Sequence, residues 1–395
     1  MLPFARLVKY GNKIPPPAGI RKINTYGLGH LFLTTDGKLF AYGSNNEYRF
    51  GTPTTSIVGG VPSLVLINVA MIYCHPAYTI CLMNDGRYMA AGNLSQFGLG
   101  SQTSFVDVSS FFSTLGTITK IAITRRETPG TSTIYALNST GILYAMGSNN
   151  RGQFGNNTLT GKIGEFVQIN TNCKDVVTCS YETVVVLKND NTAWFCGNYG
   201  LTSGSSDIKV FTNIGDTDIL SINSDGSGGS LLYTKSTGLY VRGLLTSLYG
   251  LTYTSGSQGT NRLAVLPFTY DSANFRYWTD PEGQGPSCWI QDLSTGTRYA
   301  TGSTNSSNGR LGFSVPTASG NSFREQVINL PEGTSTMTVL SVGMGNNYSA
   351  LISTDGIVYG SGAFNGYGAY PGTEVVNYPD SNPTLFQYEP IKLGI

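Results

Sequence analysis

The stretch LNSTGILYAMGSNNRGQFG, which runs from Leu137 to Gly155, carries the pattern that decides the fold. An apolar run leads into Ser-Thr-Gly, a second alternating run follows, and this second run ends at Gly147. Alternation of this kind indicates β-strands. The Thr-Gly pair supplies the positive-φ conformations that a two-residue hairpin turn needs. The stretch therefore predicts a β-hairpin that turns at Gly141 and ends at a second glycine.

The same hairpin recurs along the whole chain in seven copies. The turn positions are Gly37, Gly86, Gly141, Asn191, Gly238, Gly296 and Gly356. A second glycine follows six residues later, or five in the copy at Gly238, and these glycines are Gly43, Gly92, Gly147, Gly197, Gly243, Gly302 and Gly362. We expect each second glycine to mark a close backbone approach where strands crowd around an axis. Self-similarity of this kind indicates a repeat architecture.

Each repeat also contains two further strand-like segments. One precedes the hairpin, as in Ile118–Ile123, and an outer apolar segment comes earlier still, as in Phe166–Ile169. Four short strands per repeat are typical of a propeller blade. The composition agrees, because glycine is 50 of 395 residues and charged residues are 12%, against about 7% and about 25% in an average domain. The sequence predicts an all-β fold.

The ends of the chain predict a closed ring of seven blades in a single domain, residues 1–395. Seven hairpins are accompanied by eight outer-strand-like segments, with Phe4–Tyr10 at the start and Leu385–Ile391 at the end. The surplus segment is what a ring needs in order to join its first and last blades, so we expect the N- and C-terminal strands to pair. The predicted blades span approximately residues 20–67, 68–117, 118–172, 173–217, 218–273, 274–338 and 339–395, with 1–19 helping to close the ring.

The repeat resembles the regulator-of-chromosome-condensation (RCC1-like) family, whose blades combine Asp-Gly, a tryptophan before the second glycine, and Asn-x-x-Gly-Gln-Phe/Leu-Gly. The copy from Leu137 to Gly155 is the best match. The resemblance implies a seven-bladed propeller, and the best-known members promote nucleotide exchange on a small GTPase and dock on chromatin. The family histidine is represented only by His30, and the tryptophan is replaced by Tyr42, Ala91, Met146, Cys196, Arg242, Thr301 and Ser361. Such degenerate repeats resemble a viral or bacteriophage type.

Charge and hydropathy argue against several functional classes. The net charge of +1 gives no electrostatic footprint for nucleic acid. No run of about 18 apolar residues is present, so we expect no membrane insertion. Residues 1–20 lack the apolar core of a secretory signal. The six cysteines show no metal-ligand spacing and predict buried thiols in a reducing compartment: Cys74, Cys81, Cys173, Cys179, Cys196 and Cys288.

The groups that resemble catalytic residues have structural explanations. Aspartate is favoured at hairpin turns because it bonds the local backbone, and this accounts for Asp36, Asp85, Asp190 and Asp355. His30 occupies a repeat position that the family also fills with histidine, and His75 has no partner histidine nearby in the sequence. Residues 155–163 have the wrong spacing for a phosphate-binding loop. We therefore predict no enzyme activity, no catalytic residue, no cofactor and no metal.

The loops between strands carry the remaining indication of function. Segments rich in Ser, Thr, Asn, Gly and Tyr occupy residues 200–206, 246–260, 303–308 and 365–370. Tyrosine offers large, rigid contact area, and Ser, Gly and Asn offer adaptable hydrogen bonds. This mixture predicts a recognition surface, whose candidate residues are Tyr249, Tyr253, Tyr367, Asn149 and Arg151.

Low charge, such loops and the lack of a signal segment lead to three hypotheses about function. The first is a bacteriophage virion component of the tail or baseplate, assembled in the host cytoplasm. It would act in an oligomeric context as an adhesin or docking module, with other virion proteins or a host surface receptor, protein or glycan, as partner. The alternatives are an intracellular RCC1-like nucleotide-exchange factor or adaptor, and a lectin-like surface-binding protein. Neighbouring genes discriminate best among them.

Overall fold

A computed structural model describes residues 19–26, 29–57, 62–124, 130–179, 182–202, 206–225, 229–243, 249, 251, 259–279, 287–302, 322–326, 339–344, 348–353, 357–363 and 384–391. These residues form β-strands and one short α-helix, α1 (Ser109–Phe112). Within them, no helix is long and apolar enough to cross a bilayer.

The strands form antiparallel sheets in which neighbours along the chain are also neighbours in the sheet, except that the last two strands of the first sheet both pair with its third strand. The first sheet contains β1 (Ile20–Tyr26), β2 (Gly29–Thr34), β3 (Leu39–Ser44), β4 (Ser56–Ile57) and β5 (Ser63–Leu66). The second contains β6 (Val69–His75), β7 (Tyr78–Met83), β8 (Tyr88–Asn93) and β9 (Ser101–Asp107). The third contains β10 (Ile118–Ile123), β11 (Thr133–Asn138), β12 (Leu143–Gly147) and β13 (Lys162–Asn170).

The remaining sheets repeat this order. The fourth contains β14 (Cys173–Cys179), β15 (Thr183–Lys188), β16 (Ala193–Gly197) and β17 (Ile208–Asn213). The fifth contains β18 (Ser221–Ser224), β19 (Ser230–Lys235), β20 (Gly238–Gly243) and β21 (Arg262–Leu263). The sixth contains β22 (Phe275–Trp278), β23 (Ser287–Asp292), β24 (Arg298–Gly302) and β25 (Arg324–Glu325). The seventh contains β26 (Val339–Met344), β27 (Tyr348–Ser353), β28 (Val358–Ala363) and β29 (Thr384–Ile391).

The hairpin turns are longer than the sequence pattern suggested. In the third sheet, Asn138 N–H donates to Ile142 O and Gly141 N–H donates to Asn138 O, both at 3.0 Å. These bonds enclose three residues, of which only Gly141 has a positive φ, at +80°. This is a type I turn followed by a left-handed residue. The prediction of two-residue turns is therefore wrong here, because the two residues before the glycine stay at negative φ. The exception is the fifth sheet, where Lys235 pairs with Gly238 and the turn encloses only Ser236 and Thr237.

The second glycine of the repeat lies under a carbonyl of the adjacent strand. Gly147 pairs with Thr133, and a Cβ at Gly147 would lie 2.4 Å from Ser132 O. That carbonyl approaches because it accepts a hydrogen bond from Ser148 N at 3.0 Å. The corresponding distances at Gly92, Gly197 and Gly243 are 2.3, 2.1 and 2.4 Å. The close approach is present, but its partner is the neighbouring strand of the same sheet and not a strand across an axis.

Successive sheets pack against each other through apolar cores. From the first sheet to the sixth, each sheet shares an apolar cluster with the next one. In chain order, representative pairs of residues in these five clusters are Leu31 with Ile72, Ile80 with Ile134, Leu143 with Val184, Val185 with Leu231, and Leu232 with Ile290. A further cluster unites Ile23 and Phe32 of the first sheet with Ile352 and Val358 of the seventh. The first strands of several neighbouring sheets also contact one another: β1 contacts β26, β6 contacts β10, and β14 contacts both β10 and β18. Sheets that pack in chain order through both faces form a β-propeller.

The chain ends were expected to pair with each other. Phe4–Tyr10 lies outside the described residues. Leu385–Ile391 lies within β29, which pairs with β28 as the outer strand of the seventh sheet. The predicted pairing of the two ends therefore stays a prediction.

Two glycine substitutions in the second sheet separate steric crowding from backbone strain. Gly92 has φ +103°, and its Cβ would lie 2.3 Å from Ala77 O; Gly86 has φ +87° with nothing within 4 Å. We expect Gly86→Ala to cost about 1 kcal/mol of unfolding free energy and Gly92→Ala at least about 3 kcal/mol. Urea denaturation of both variants measures the difference. Equal losses would show that the carbonyl above Gly92 is not a constraint.

Candidate binding surfaces between the third and fourth sheets

Each sheet presents its connections at two opposite ends of its strands. The connection from the third to the fourth strand lies at one end, and in the third sheet it is the segment 148–161, which we call the clasp loop. We call this end of the sheets the loop face. The connection between the second and third strands lies at the other end, at residues 139–141 in the third sheet and 189–191 in the fourth. We call this end the hairpin face.

Asn149 organises the clasp loop from inside. Its Nδ2 donates to Thr158 O at 3.0 Å and to Thr160 O at 3.2 Å, and its Oδ1 accepts from Phe154 N at 2.8 Å. Asn45 makes equivalent bonds in the first sheet. The Asn149 side chain is 1% exposed, so a partner cannot reach it. The prediction that Asn149 belongs to a recognition surface is corrected: this amide holds its own loop together.

The clasp loop attaches the third sheet to the outer edge of the fourth. Phe154 is buried among apolar side chains of both sheets, and burial of one such side chain contributes about 1.5–3 kcal/mol. Gly155, at φ +63°, lies so close to Phe211 of β17 that a Cβ would be 2.4 Å from its ring. Gly51 lies against Phe105 of the second sheet in the same way. The family motif Asn-x-x-Gly-Gln-Phe-Gly therefore has a packing role here.

Arg151 lies in the clasp loop and reaches two carboxylates of the fourth sheet. Its Nε lies 3.4 Å from Glu182 Oε2, and its Nη1 lies 3.3 Å from Asp207 Oδ2. The hydrogen bond to Asp207, together with the nearby Glu182 charge, raises the pKa of Arg151. The Arg151 side chain is 42% exposed while that of Glu182 is 3% exposed. Arg151 is thus accessible, but its charge already joins two sheets.

Tyr249 is also buried, contrary to its predicted place on a recognition surface. Its side chain is 0% exposed, and its hydroxyl donates to Asp225 Oδ2 at 3.1 Å. Asp225 Oδ1 accepts from Ser230 N at 2.9 Å. Burial raises the pKa of Asp225 to about 7, against a smaller lowering by these hydrogen bonds. The placement of Tyr249 is corrected to the interior, whereas Tyr253 and Tyr367 lie outside the described residues.

The hairpin face carries an open polar cavity between the third and fourth sheets. Its volume is about 340 Å³, and its lining includes Thr119, Ser139, Thr140, Cys173, Lys174 and Asn189. The hydroxyls and the Asn189 amide can donate and accept hydrogen bonds, and the ammonium group of Lys174 can pair with an anion. The sequence analysis missed this cavity. The polar turns Ser139-Thr140 and Asn189-Asp190 were its only indication in the sequence.

The groups suited to covalent or metal chemistry are buried or dispersed in the described part of the chain. All six cysteines are free and buried, as the sequence predicted, and burial raises the pKa of Cys81, Cys173, Cys179, Cys196 and Cys288. A thiol with a raised pKa is a poor nucleophile at neutral pH. Among the described residues, no three His, Cys, Asp or Glu side chains converge as a metal site.

Replacement of Asn149 tests its role inside the clasp loop. Asn149→Ala leaves a buried N–H and two carbonyls without their partner, so we expect a loss of about 2–3 kcal/mol in unfolding free energy. The neighbouring exposed Asn150 bonds only Gln153 Nε2, at 3.2 Å, and Asn150→Ala should cost less than about 1 kcal/mol. Chemical denaturation measures both. Similar losses in the two variants would contradict the loop-organising role.

The buried Asp225 makes stability depend on pH. Its folded pKa of about 7 lies above the ordinary value of 3.8 for an aspartate, so the folded state binds the proton more tightly. The stabilisation is full below the unfolded pKa and is lost as pH rises through about 7. Asp225→Asn cannot ionise; its Oδ1 can still accept from Ser230 N, and its Nδ2 can donate to the Tyr249 hydroxyl. We expect the Tm of wild type to fall relative to Asp225→Asn between about pH 5 and about pH 8; parallel curves in calorimetry would contradict this.

Comparisons with known proteins place the fold. No protein-family model matches the chain. Human WBSCR16 is similar in structure, with a TM-score of 0.63 and 14% identity over 90% of this chain and 94% of that one. Prp20p from Saccharomyces cerevisiae, a protein that binds Gsp1p and histones, has a TM-score of 0.49 and 15% sequence identity, over 94% of this chain and 77% of that one. The structure of yeast RCC1 (Prp20) bound to Kap60 has a TM-score of 0.49 and 15% sequence identity, over 94% of this chain and 75% of that one. At 14% identity, the likeness to WBSCR16 concerns the fold alone, which is an all-β propeller.

Proposed function

We propose that this chain is a non-catalytic binding module that engages a protein partner through its hairpin face. The observation that carries the proposal is the open polar cavity of about 340 Å³ between the third and fourth sheets. On the loop face, by contrast, Asn149, Phe154 and Arg151 are engaged in joining sheets. A propeller is a scaffold on which function is located at surface sites, so a surface whose groups remain available is the better candidate.

The scaffold of this module is a single domain of seven blades in the RCC1-like style, one blade for each sheet. The sheets begin at Ile20, Val69, Ile118, Cys173, Ser221, Phe275 and Val339, close to the starts of the predicted blades. Family membership is supported by the equivalent roles of Asn45 and Asn149, and of Gly51 and Gly155. The apolar cluster shared by the first and seventh sheets supports a closed ring.

Closure of the ring matters for function because it would hold neighbouring hairpin turns at fixed positions. A partner that contacts two blades at once then meets a preformed surface and loses less conformational freedom on binding. The virion hypothesis has only its compositional support and gains none from the likeness to WBSCR16. We therefore propose a protein-binding or adaptor role, without assigning the assembly in which it acts.

Site-specific crosslinking tests whether a partner binds at the cavity of the hairpin face. A photoreactive benzoylphenylalanine at Ser139 lies at the cavity, and the same residue at Asn84 occupies the equivalent exposed turn of the second sheet. In the source cells, we expect Ser139 to form one defined protein adduct, identified by mass spectrometry, and Asn84 to form little of it.

The substitution Ser139→Trp tests whether filling the cavity abolishes binding of the same partner. Its bulk fills the cavity, so the protein identified by crosslinking should no longer copurify, while Asn84→Trp should retain it. An adduct from both positions in equal amounts, or copurification that survives Ser139→Trp, would show that the partner does not bind at the cavity. The absence of an adduct from both positions would overturn the hairpin-face proposal.

A further inference from the structure

Asp225 is a buried carboxyl group beside the contact between the fourth and fifth sheets. It directly follows β18 of the fifth sheet and is 0% exposed. The preceding Ser224 donates from its hydroxyl to Thr178 O of β14, in the fourth sheet, at 2.7 Å. The carboxyl group therefore lies inside a junction between sheets, away from bulk water.

Three other titratable groups face Asp225 in this junction. They are Cys179 of β14, Cys288 of β23 in the sixth sheet, and Tyr249, which packs in the apolar cluster of the fifth and sixth sheets. Burial is the main cause that raises the pKa of each of these groups, and the charge on Asp225 raises it further. A thiol or a phenol cannot carry a positive charge, so none of the three can compensate an ionised carboxylate.

The hydrogen bonds that reach Asp225 come from neutral donors. Ser230 N donates to Oδ1 at 2.9 Å, and the Tyr249 hydroxyl donates to Oδ2 at 3.1 Å. In the described part of the chain, Asp225 belongs to no ion pair. The flanking residues 226–229 and 243–259 carry no charged side chain. Loss of the proton would thus leave a carboxylate without water and without a cation, which is unfavourable.

The fifth and sixth sheets are the ones in which a local opening breaks few strand contacts. Among the described residues, their outer strands β21 and β25 contain two residues each, whereas β13 and β17 contain nine and six. Regions with few ladder hydrogen bonds open at a lower free energy than the whole fold. Opening of this junction is therefore an easier way to hydrate the carboxylate than complete unfolding.

We propose that the junction of the fourth, fifth and sixth sheets is a proton-controlled joint, which stays closed while Asp225 carries its proton and opens locally when the proton is lost. In the open junction water solvates the carboxylate, so proton loss and opening favour each other. The other sheets stay folded throughout. This conformational device is separate from the cavity on the hairpin face, so a failure of either proposal leaves the other to be decided by its own experiment.

Alkylation by iodoacetamide, followed by mass spectrometry of the modified peptides, tests the joint. The protection factor of each thiol is its alkylation rate in urea-unfolded protein divided by its rate in native protein at the same pH. The pKa of Asp225 is about 7 when closed and 3.8 ordinarily, so we expect the protection factors of Cys179 and Cys288 to fall about tenfold between about pH 6 and about pH 8 and then to level off. In Asp225→Asn, which cannot ionise, they should not change over this range.

Cys81 is the matched control, since it is equally buried but lies in β7 of the second sheet. At about pH 8 its protection factor should exceed those of Cys179 and Cys288 by tenfold or more, because only the joint has opened. Equal protection of all three thiols would show that exposure needs complete unfolding, and the inference would fail. It would also fail if wild type and Asp225→Asn gave the same pH dependence at Cys288.

Tyr249→Phe keeps the inference testable if Asp225→Asn does not fold. The missing hydroxyl removes a donor that lowers the pKa of Asp225, so the pH at which protection levels off should move upward. A levelling-off at the same pH as in wild type would contradict the joint. Chemical denaturation of each variant checks that its fold is retained.

Discussion

In the second to fifth sheets, the carbonyl oxygen of the residue before the second strand occupies the place that a Cβ would need at the end of the third strand, and the path of the chain beyond that strand depends on this contact. At Gly147 and Gly197 the gap to that carbonyl is 2.4 and 2.1 Å. Only glycine lets the carbonyl accept the hydrogen bond from the next residue. That bond fixes the direction in which the chain leaves the third strand. The loop that follows the third strand therefore runs towards the next sheet.

The direction of the clasp loop explains why the residues that best match the RCC1-like motif have structural roles in this chain. Asn149 closes the clasp loop, Phe154 enters the core between sheets, and Gly155 contacts Phe211 of the next outer strand. Arg151 adds an ionic contact at the same junction. Because these groups hold the propeller together, they are not left for a partner in the clasp loop, which is the part of the loop face that joins the third and fourth sheets. The hairpin face retains hydroxyls, amides and the ammonium group of Lys174 around an open cavity.

The sequence predicted the all-β architecture and the register of its repeats because turns and glycines act locally. The predicted turn length was wrong at Thr35-Asp36 and at Ser139-Thr140, because each of these pairs can adopt either of two compact turns. The sequence pattern does not distinguish the two kinds of turn. Tyr249 was misplaced because its burial depends on Asp225, which is distant in sequence. Asn149 could have been assigned correctly, since Asn45 recurs two residues after its own second glycine. The cavity arises from the placement of two sheets, which no single strand pattern encodes.

Amide hydrogen exchange with and without the protein identified by crosslinking through Ser139 tests the central claim most directly, which is that binding belongs to the hairpin face and not to the loop face. The account predicts added protection at residues 118–120, 138–142, 173–174 and 188–191, around the cavity. It predicts no change in the clasp loop, residues 148–161. Protection confined to the clasp loop, with exchange around the cavity unaltered, would contradict it.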